Sequence, residues 1–233
     1  MKRMIPTRKP SNQVNSMKFT RYPAAAIILA LLLATQASAS YADAQAGAAI
    51  AKNGIGAATA CMQCHGAHGE GQAVAGSPRP RLAGQGRNYL VKQLTDFKTK
   101  LRINPLMQPI ANTLTTAQIN DVADYYASLP AWKPSTSPAL DTAQTARGAQ
   151  LAHRGDWNKG MPACFACHGE NGAGIAPHFP AIAGQGAAYI AKQLKNWQSG
   201  ARSNDPQGLM KAVADKLSAD DISAVSAYLE NPK

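Results

Sequence analysis

The residues best suited to carry chemistry form two Cys-x-x-Cys-His segments, Cys61–His65 and Cys164–His168. This is the attachment pattern of haem c. Two thiols three positions apart can reach both vinyl groups on one porphyrin edge and bind them as thioethers. The next histidine then lies under the ring, where it can ligate the iron. The sequence therefore predicts two covalent haem c groups, with His65 and His168 as proximal ligands and thioethers from Cys61, Cys64, Cys164 and Cys167.

A single Cys-x-x-Cys pair would also fit two other chemistries. It could be a redox dithiol or half of a zinc site. Two copies, each followed by His-Gly at matching places in the chain, favour haem over both. Structural disulfides are disfavoured too, because thiols so close in sequence would close only very short loops.

A second axial ligand is expected from methionine, which is a common partner of histidine in cytochromes. Four methionines follow the N-terminal segment. Met62 lies inside the first motif and Met161 lies three residues before the second, so both are tied to the histidine side. Met107 and Met210 occupy matching positions, each in a predicted loop before the last helix, and are the predicted sixth ligands; core packing is the alternative for them. Surface or loop positions are predicted for the remaining histidines, His68, His153 and His178.

These residues recur because the chain contains one unit twice. The second haem motif follows the first by 103 positions, and a Leu/Ile-Ala-Gly-Gln-Gly segment recurs after 100. Other matched pairs are Tyr89 and Tyr189, Gln93 and Gln193, Phe97 and Trp197, Arg102 and Arg202, and Asn104 and Asn204. The sequence predicts a first domain over residues 40–129, a proline-rich linker over 130–138 and a second domain over 139–233.

The elements that must position these residues are predicted to be helices. Apolar spacing predicts helices over Ala42–Lys52, Asn88–Lys100, Ala143–Arg154 and Ala187–Ser199. Capping boxes at Thr115 and Ser218 predict the start of a last helix in each unit. No segment alternates convincingly at a period of two, so the predicted fold class is all-α. Helices this short are marginal alone, and a large apolar cofactor would supply the missing burial.

The first 39 residues are typical of a cleaved export signal. They hold six basic residues and no acidic residue, and an apolar run, Ala24–Ala34, precedes Ala37-Ser-Ala39. The run of eleven residues is too short to span a bilayer. We therefore predict a signal peptide over residues 1–39 and a periplasmic protein. Met1 and Met17 are both candidates for the first translated residue.

The remaining chain is moderately basic, with 18 basic and 13 acidic residues and a net charge of +5. It has no Lys/Arg cluster interleaved with aromatic residues, so nucleic-acid binding has little support. Residues 41–138 hold 9 basic and 5 acidic residues, against 9 and 8 in residues 139–233. This contrast suggests that different acidic partners dock at the two domains.

With these motifs the chain resembles the cytochrome c4 family, periplasmic dihaem proteins built from two class I cytochrome c domains. The resemblance runs from about Ala44 to Asn231 and includes the CxxCHG motifs, a Tyr-x-x-x-Gln-Leu helix and an Arg-x-Asn…Met loop. It implies that His65 and Met107 ligate one iron, and that His168 and Met210 ligate the other. The second Arg-x-Asn…Met loop is three residues longer than the first.

The resemblance also implies contacts around the ligands. The carbonyls of Pro80 and Pro180 would accept the N–H of the proximal imidazoles. The first and last helices of each domain would cross at a small residue, Gly47 against Tyr125 and Gly148 against Tyr228. For Arg102 and Arg202, two predictions are equally well supported: pairing with haem propionates, and exposure to solvent.

The function that the resemblance implies is electron transfer rather than catalysis, because histidine and methionine together close both axial positions. The carrier would accept electrons from a quinol-oxidising complex or a dehydrogenase and pass them to a terminal oxidase. The alternative is the electron-accepting dihaem subunit of a dehydrogenase complex, as in a flavocytochrome. A dihaem enzyme would need an open or specially ligated iron. No transmembrane span is expected in the mature chain, and peripheral membrane association stays open.

Overall fold

The computed structural model describes residues 39–131 and 143–232, and the side chains of the first helix from residue 44 onward. The predicted signal peptide, 1–39, and the predicted linker, 130–138, lie almost entirely outside the described residues. The helices of the first repeat are α1 (Ala39–Asn53), α2 (Cys61–His65), α3 (Arg87–Lys98), α4 (Met107–Thr113) and α5 (Thr116–Ser128). Those of the second repeat are α6 (Ala143–His153), α7 (Cys164–His168), α8 (Ala187–Gln198), α9 (Leu209–Ala214) and α10 (Ala219–Glu230).

Within the described ranges there is no β-strand, only four isolated β-bridges between short loop segments. Two 3₁₀ turns, Trp157–Lys159 and Glu170–Gly172, lie in the second repeat. The all-α prediction is confirmed. No described helix combines the length and the hydrophobicity needed to span a bilayer.

The last helix of each repeat begins where the sequence predicts. The Thr115 side chain accepts a hydrogen bond from the Gln118 backbone N–H at 3.2 Å, and the Gln118 side-chain oxygen accepts one from the Thr115 N–H at 2.9 Å. Ser218 and Asp221 form the same reciprocal pair before α10. Each box satisfies two backbone donors that the helix itself leaves unpaired.

Each repeat has its own apolar core, formed where its first helix crosses its last. A Cβ on Gly148 would lie 2.3 Å from the Ala224 carbonyl oxygen and 2.6 Å from the Tyr228 Cβ, so only glycine allows α6 and α10 to come this close. A Cβ on Gly47 would lie 1.9 Å from the Asp121 carbonyl oxygen. The expected partner in the second repeat, Tyr228, is thus present, whereas the nearest neighbours of Gly47 are backbone atoms of Asp121 and Val122.

The two repeats pack against each other through matched residues. Gln185 accepts a hydrogen bond from the Arg81 backbone N–H at 2.7 Å and donates to the Arg81 carbonyl at 3.1 Å. Gln85 donates in the opposite direction to the carbonyl of Ala181, which is the counterpart of Arg81, at 2.7 Å. This reciprocity gives the interface an approximate two-fold relation.

A second group of matched side chains lies buried in the same interface. The guanidinium of Arg102 donates to Gln93 at 2.7 Å and, across the interface, to Gln193 at 2.8 Å. The guanidinium of Arg202 donates to Gln193 at 2.9 Å and, across the interface, to Gln93 at 3.1 Å. The polar residues that the repeat shares therefore hold the two domains together.

Candidate haem sites

Both Cys-x-x-Cys-His motifs form one short helix each, α2 and α7. In a helix, residues three and four apart lie on one face, so the two thiols and the histidine of a motif point the same way. None of the four cysteines forms a disulfide, so all four are available for thioether bonds. This is the arrangement that thioether attachment at one porphyrin edge requires.

The environment of the thiols bears on the two alternatives, a redox dithiol and half of a zinc site. Reactive dithiols have a lowered thiol pKa, whereas burial raises the pKa of Cys61, and raises that of Cys164 to about 11. Among the described residues no group of three or more His, Cys, Asp or Glu side chains could hold a metal ion. The raised pKa of Cys61 and of Cys164 does not favour a redox dithiol.

Each proximal histidine makes the same hydrogen bond. Nδ1 of His65 lies 2.9 Å from the carbonyl oxygen of Pro80, and Nδ1 of His168 lies 2.9 Å from that of Pro180. A carbonyl only accepts, so Nδ1 carries the proton and the Nε2 lone pair is free to bind a metal. Burial lowers the pKa of both histidines, which keeps them neutral at pH 7. The structure thus brings together the residues that the resemblance paired.

The turn that follows each motif brings the proline into place. The N–H of Gly71 donates to the His65 carbonyl at 2.7 Å, and that of Gly174 donates to the His168 carbonyl at 2.6 Å. Both glycines have positive φ, 85° and 88°. A Cβ there would lie 2.7 Å from a backbone nitrogen of the proline-containing segment. Glycine is therefore required at both positions for the approach of the proline carbonyl.

The two candidate methionines lie at the start of short helices, not in loops as the sequence analysis expected. Met107 is the first residue of α4 and Met210 the second of α9, and both side chains are half-buried. The Asn104 side chain accepts from the Met107 N–H at 3.0 Å, and that of Asp205 accepts from the Met210 N–H at 2.6 Å. These hydrogen bonds satisfy one backbone N–H in the first turn of each helix, and the apolar pattern of the sequence is too short to indicate that turn.

The polar interface contains an excess of buried positive charge. Arg102 and Arg202 are 9% and 5% exposed, and neither makes an ion pair within the described ranges. Burial opposes ionisation of Tyr89, but the positive charges of Arg202 and Arg102 outweigh it and lower its pKa. The buried carboxylate of Asp96 lies in the same network and offsets part of this charge. Buried charge that is not fully compensated is costly, so the cluster suits an additional anion.

One buried donor is also left over. The indole Nε1 of Trp197 is buried and makes no hydrogen bond to any described residue. The Arg202 guanidinium lies 4.0 Å from the centre of the same ring. Haem carries two carboxylate side chains, so the unpaired indole and the two guanidinium groups fit its requirements. Phe97, at the position matching Trp197, has no such donor.

The remaining histidines do not join either site. His68, His153 and His178 are exposed, as predicted. His153 ends α6 and its Nε2 lies 2.8 Å from the Tyr228 hydroxyl.

Comparison with known proteins assigns the same class to both halves. The family described as cytochrome c matches residues 44–130 and again 145–233. Fold and motifs therefore define a dihaem c-type cytochrome, with haem c bound covalently at Cys61 and Cys64 and at Cys164 and Cys167.

Individual relatives narrow this class. Cytochrome c4 of Thiocapsa roseopersicina is 40% identical over 81% of this chain and 92% of the relative. The crystal structure of reduced recombinant cytochrome c4 from Pseudomonas stutzeri has a TM-score of 0.70 and 35% identity over 81% of this chain and 97% of that one. The chain belongs to the cytochrome c4 family and is a dihaem electron carrier with redox protein partners.

A further relative is named for its electron donor and not as a cytochrome c4. The thiosulfate dehydrogenase electron acceptor of Stutzerimonas stutzeri (strain A1501) is 43% identical over 92% of this chain and 96% of the relative.

Proposed function

We propose that both irons have one histidine and one methionine ligand: His65 with Met107, and His168 with Met210. The observation that carries this proposal is the pair of 2.9 Å hydrogen bonds to Pro80 and Pro180, which leave each Nε2 free for iron. The methionines lie in the first turn of matching helices in the two repeats, which supports the same role for both.

The protein supplies three things to the haems in this proposal. The proline carbonyls fix the orientation of the imidazole rings. Arg102, Arg202 and Trp197 bind propionate groups, which relieves the incompletely compensated charge and the unpaired donor. Bound haem supplies one-electron chemistry at iron, and methionine ligation raises its reduction potential. Closed irons suit outer-sphere transfer, so we propose a carrier that has no catalytic reaction of its own.

We further propose that the electrons come from a dehydrogenase that oxidises thiosulfate and pass to a terminal oxidase. The name of the 43% identical relative supports this donor. A quinol-oxidising complex is the other candidate donor. The same relative also favours a second arrangement, in which the protein is the bound electron-accepting subunit of the dehydrogenase rather than a free carrier. Co-purification with a larger catalytic subunit would distinguish the two.

The proposed location is the periplasm. Residues 1–39 have the charge, apolar run and small residues of a cleaved signal. N-terminal sequencing of protein isolated from the periplasmic fraction should give Ser40 as the first residue.

Two measurements on the purified holoprotein test the function. Carbon monoxide should leave the spectrum of the reduced protein unchanged, because both irons have two protein ligands. Thiosulfate with catalytic amounts of the thiosulfate dehydrogenase of Stutzerimonas stutzeri (strain A1501) should reduce both haems. A carbon monoxide shift in the wild type would disprove double ligation, and absence of reduction would disprove the proposed donor.

A further inference from the structure

A short loop of the first domain exposes more apolar surface than its surroundings. Leu101, Ile103 and Leu106 are 64%, 72% and 49% exposed, and all three lie between α3 and Met107. We call this segment the Leu101–Leu106 loop. Single exposed apolar residues are common, but a cluster within six positions is typical of an interaction surface.

Hydrogen bonds on its buried side hold the loop in place. Arg102, between two of the exposed residues, is buried and donates to Gln193 of the second domain at 2.8 Å. Its backbone N–H donates to the Asp96 carbonyl at 3.0 Å. The Asn104 side chain accepts from the Leu106 N–H at 3.0 Å. The apolar side chains are therefore fixed outward, and a partner that binds them has little loop entropy to overcome.

The second domain lacks these features at matching positions. Leu101 and Ile103 correspond to Ala201 and Ser203, although Leu209, the counterpart of Leu106, is 50% exposed. The matching loop is three residues longer and carries Asp205. The apolar pair thus belongs to the first domain and is not a requirement of the repeat.

A lysine beside the loop occupies a strained position. Lys100 is exposed and has φ of 64°, and its counterpart in the second repeat is Gly200, with φ of 77°. Glycine adopts this conformation freely, whereas lysine does so at a cost. A strained residue that folding does not require indicates a functional reason. Here the reason would be a positive charge at the edge of the apolar loop.

We propose that the Leu101–Leu106 loop and Lys100 form the docking surface for a redox protein whose own face is apolar at the centre and acidic around it. The inference rests on the proposed electron-transfer function. The excess of basic over acidic residues in the first domain, 9 against 5 in residues 41–138, fits an acidic partner. The loop leads directly into Met107, so the partner would bind beside the first haem. Electrons would then be exchanged with the partner through that haem.

The test exchanges the apolar pair for the residues of the other repeat. The L101A/I103S variant of the holoprotein should be reduced roughly tenfold more slowly than the wild type by the Stutzerimonas stutzeri dehydrogenase with thiosulfate, because interface anchors carry most of the binding energy. The matched control is W157A, which truncates a 75% exposed side chain in the second domain and should leave the rate unchanged. Equal slowing by both variants would overturn the proposal.

A second variant tests the charge. In K100G the glycine accepts the same φ, so the change removes the charge without disturbing the backbone. Its rate at low ionic strength should fall, and its salt dependence should be weaker than that of the wild type. If the salt dependence of K100G equals that of the wild type, Lys100 is not part of the docking surface.

Two further readouts separate the remaining outcomes. The rates at which an isolated terminal oxidase oxidises the reduced variants and the reduced wild type should be compared in the same way. This comparison tests the docking surface even if the dehydrogenase does not reduce the wild type. If L101A/I103S is slowed neither in its reduction by the dehydrogenase nor in its oxidation by the oxidase, the inference is overturned. Sedimentation of the wild type should show a monomer; a dimer that dissociates in L101A/I103S would show that a second copy of the chain occupies the loop.

Discussion

At the scale of single residues, the two proximal histidines make the same hydrogen bond, but the groups around the opposite ligands differ. Each histidine donates to a proline carbonyl at 2.9 Å. The Met107 N–H is capped by the neutral Asn104, whereas the Met210 N–H is capped by the carboxylate of Asp205. The two haems should therefore be distinguishable, although their attachment is the same.

Replacing either methionine by alanine should open one iron and leave the other closed. In M107A the first iron should bind carbon monoxide, because no protein ligand occupies its sixth position. The amplitude of the carbon monoxide difference spectrum, measured per protein, should be about half that of the double variant M107A/M210A. The matched control is M161A, in the buried core; a carbon monoxide shift in that variant and none in M107A would reject the ligand assignment.

Replacing Trp197 by phenylalanine should affect one haem only. The unpaired indole N–H is proposed to donate to a propionate of the second haem, and its loss leaves that negative charge less neutralised. Negative charge favours ferric iron, so the potential of the second haem should fall by tens of millivolts, the equivalent of about 1 kcal/mol. A spectroelectrochemical titration measures both potentials. A shift of both haems, or of neither, would contradict the assignment.

The sequence predicted the covalent sites because their residues are contiguous. Cys61, Cys64 and His65 lie within five positions, and the family resemblance placed Pro80 beside the ring. The distinct role of Trp197 could not be predicted, because it matches Phe97 and both read as apolar helix residues. Its significance depends on the burial of one nitrogen atom, which only the folded structure gives.

At the scale of helices, the second domain has an ion-pair network around its last helix. Arg147 of α6 pairs with Asp221 of α10 at 2.8 Å and with Asp156 at 2.6 Å, and Lys159 pairs with Asp221 at 2.6 Å. In the first domain the residue matching Asp221 is the neutral Gln118. The network joins both ends of the second repeat to the segment before α7.

This network should make the second domain sensitive to acid. Burial alone would raise the pKa of Asp221, but hydrogen bonds from Arg147, Lys159 and Ser218 outweigh it and hold that pKa well below its usual range. A lowered pKa stabilises the fold above the unfolded-state value of about 3.9 and loses this effect as the pH falls. D221N should therefore lower the free energy of unfolding by about 1–2 kcal/mol at pH 7.

The difference between D221N and wild type should shrink below about pH 4, where the unfolded carboxyl is protonated. Guanidinium denaturation at pH 7 and pH 3, followed by circular dichroism, measures it. The control is Q118A, which alters the first capping box without removing a charge and should show the same loss at both pH values. A D221N effect that is independent of pH would exclude the ionic contribution.

Helix positions were predictable where amphipathic runs were long. The predicted Asn88–Lys100 differs by one or two residues from the observed Arg87–Lys98, and the start of α10 was given by its capping box. The short helices α4 and α9 were missed. Seven and six residues give too little periodicity to detect.

At the scale of the whole molecule, the interface explains why the repeat conserves polar residues between its two copies. Gln85, Gln185, Gln93 and Gln193 are all buried, which is unusual for glutamine. Each has a partner in the other domain, about a hundred positions away in sequence. The glutamines match each other in the sequence, but the sequence does not show that they bind across the interface, because the two faces of the interface belong to separate domains.

Replacing Gln185 by alanine should loosen the contact between the domains while leaving each domain folded. The change removes the hydrogen bonds at 2.7 and 3.1 Å to the Arg81 backbone and leaves two backbone groups unpaired at the interface, which costs about 2 kcal/mol. The amide of Arg81 should lose hydrogen-exchange protection, and small-angle scattering should show a larger radius of gyration. The control is Q207A, an exposed loop glutamine that should change neither quantity. Intact protection at Arg81 in Q185A would mean that the Arg102 and Arg202 cluster alone fixes the domain arrangement.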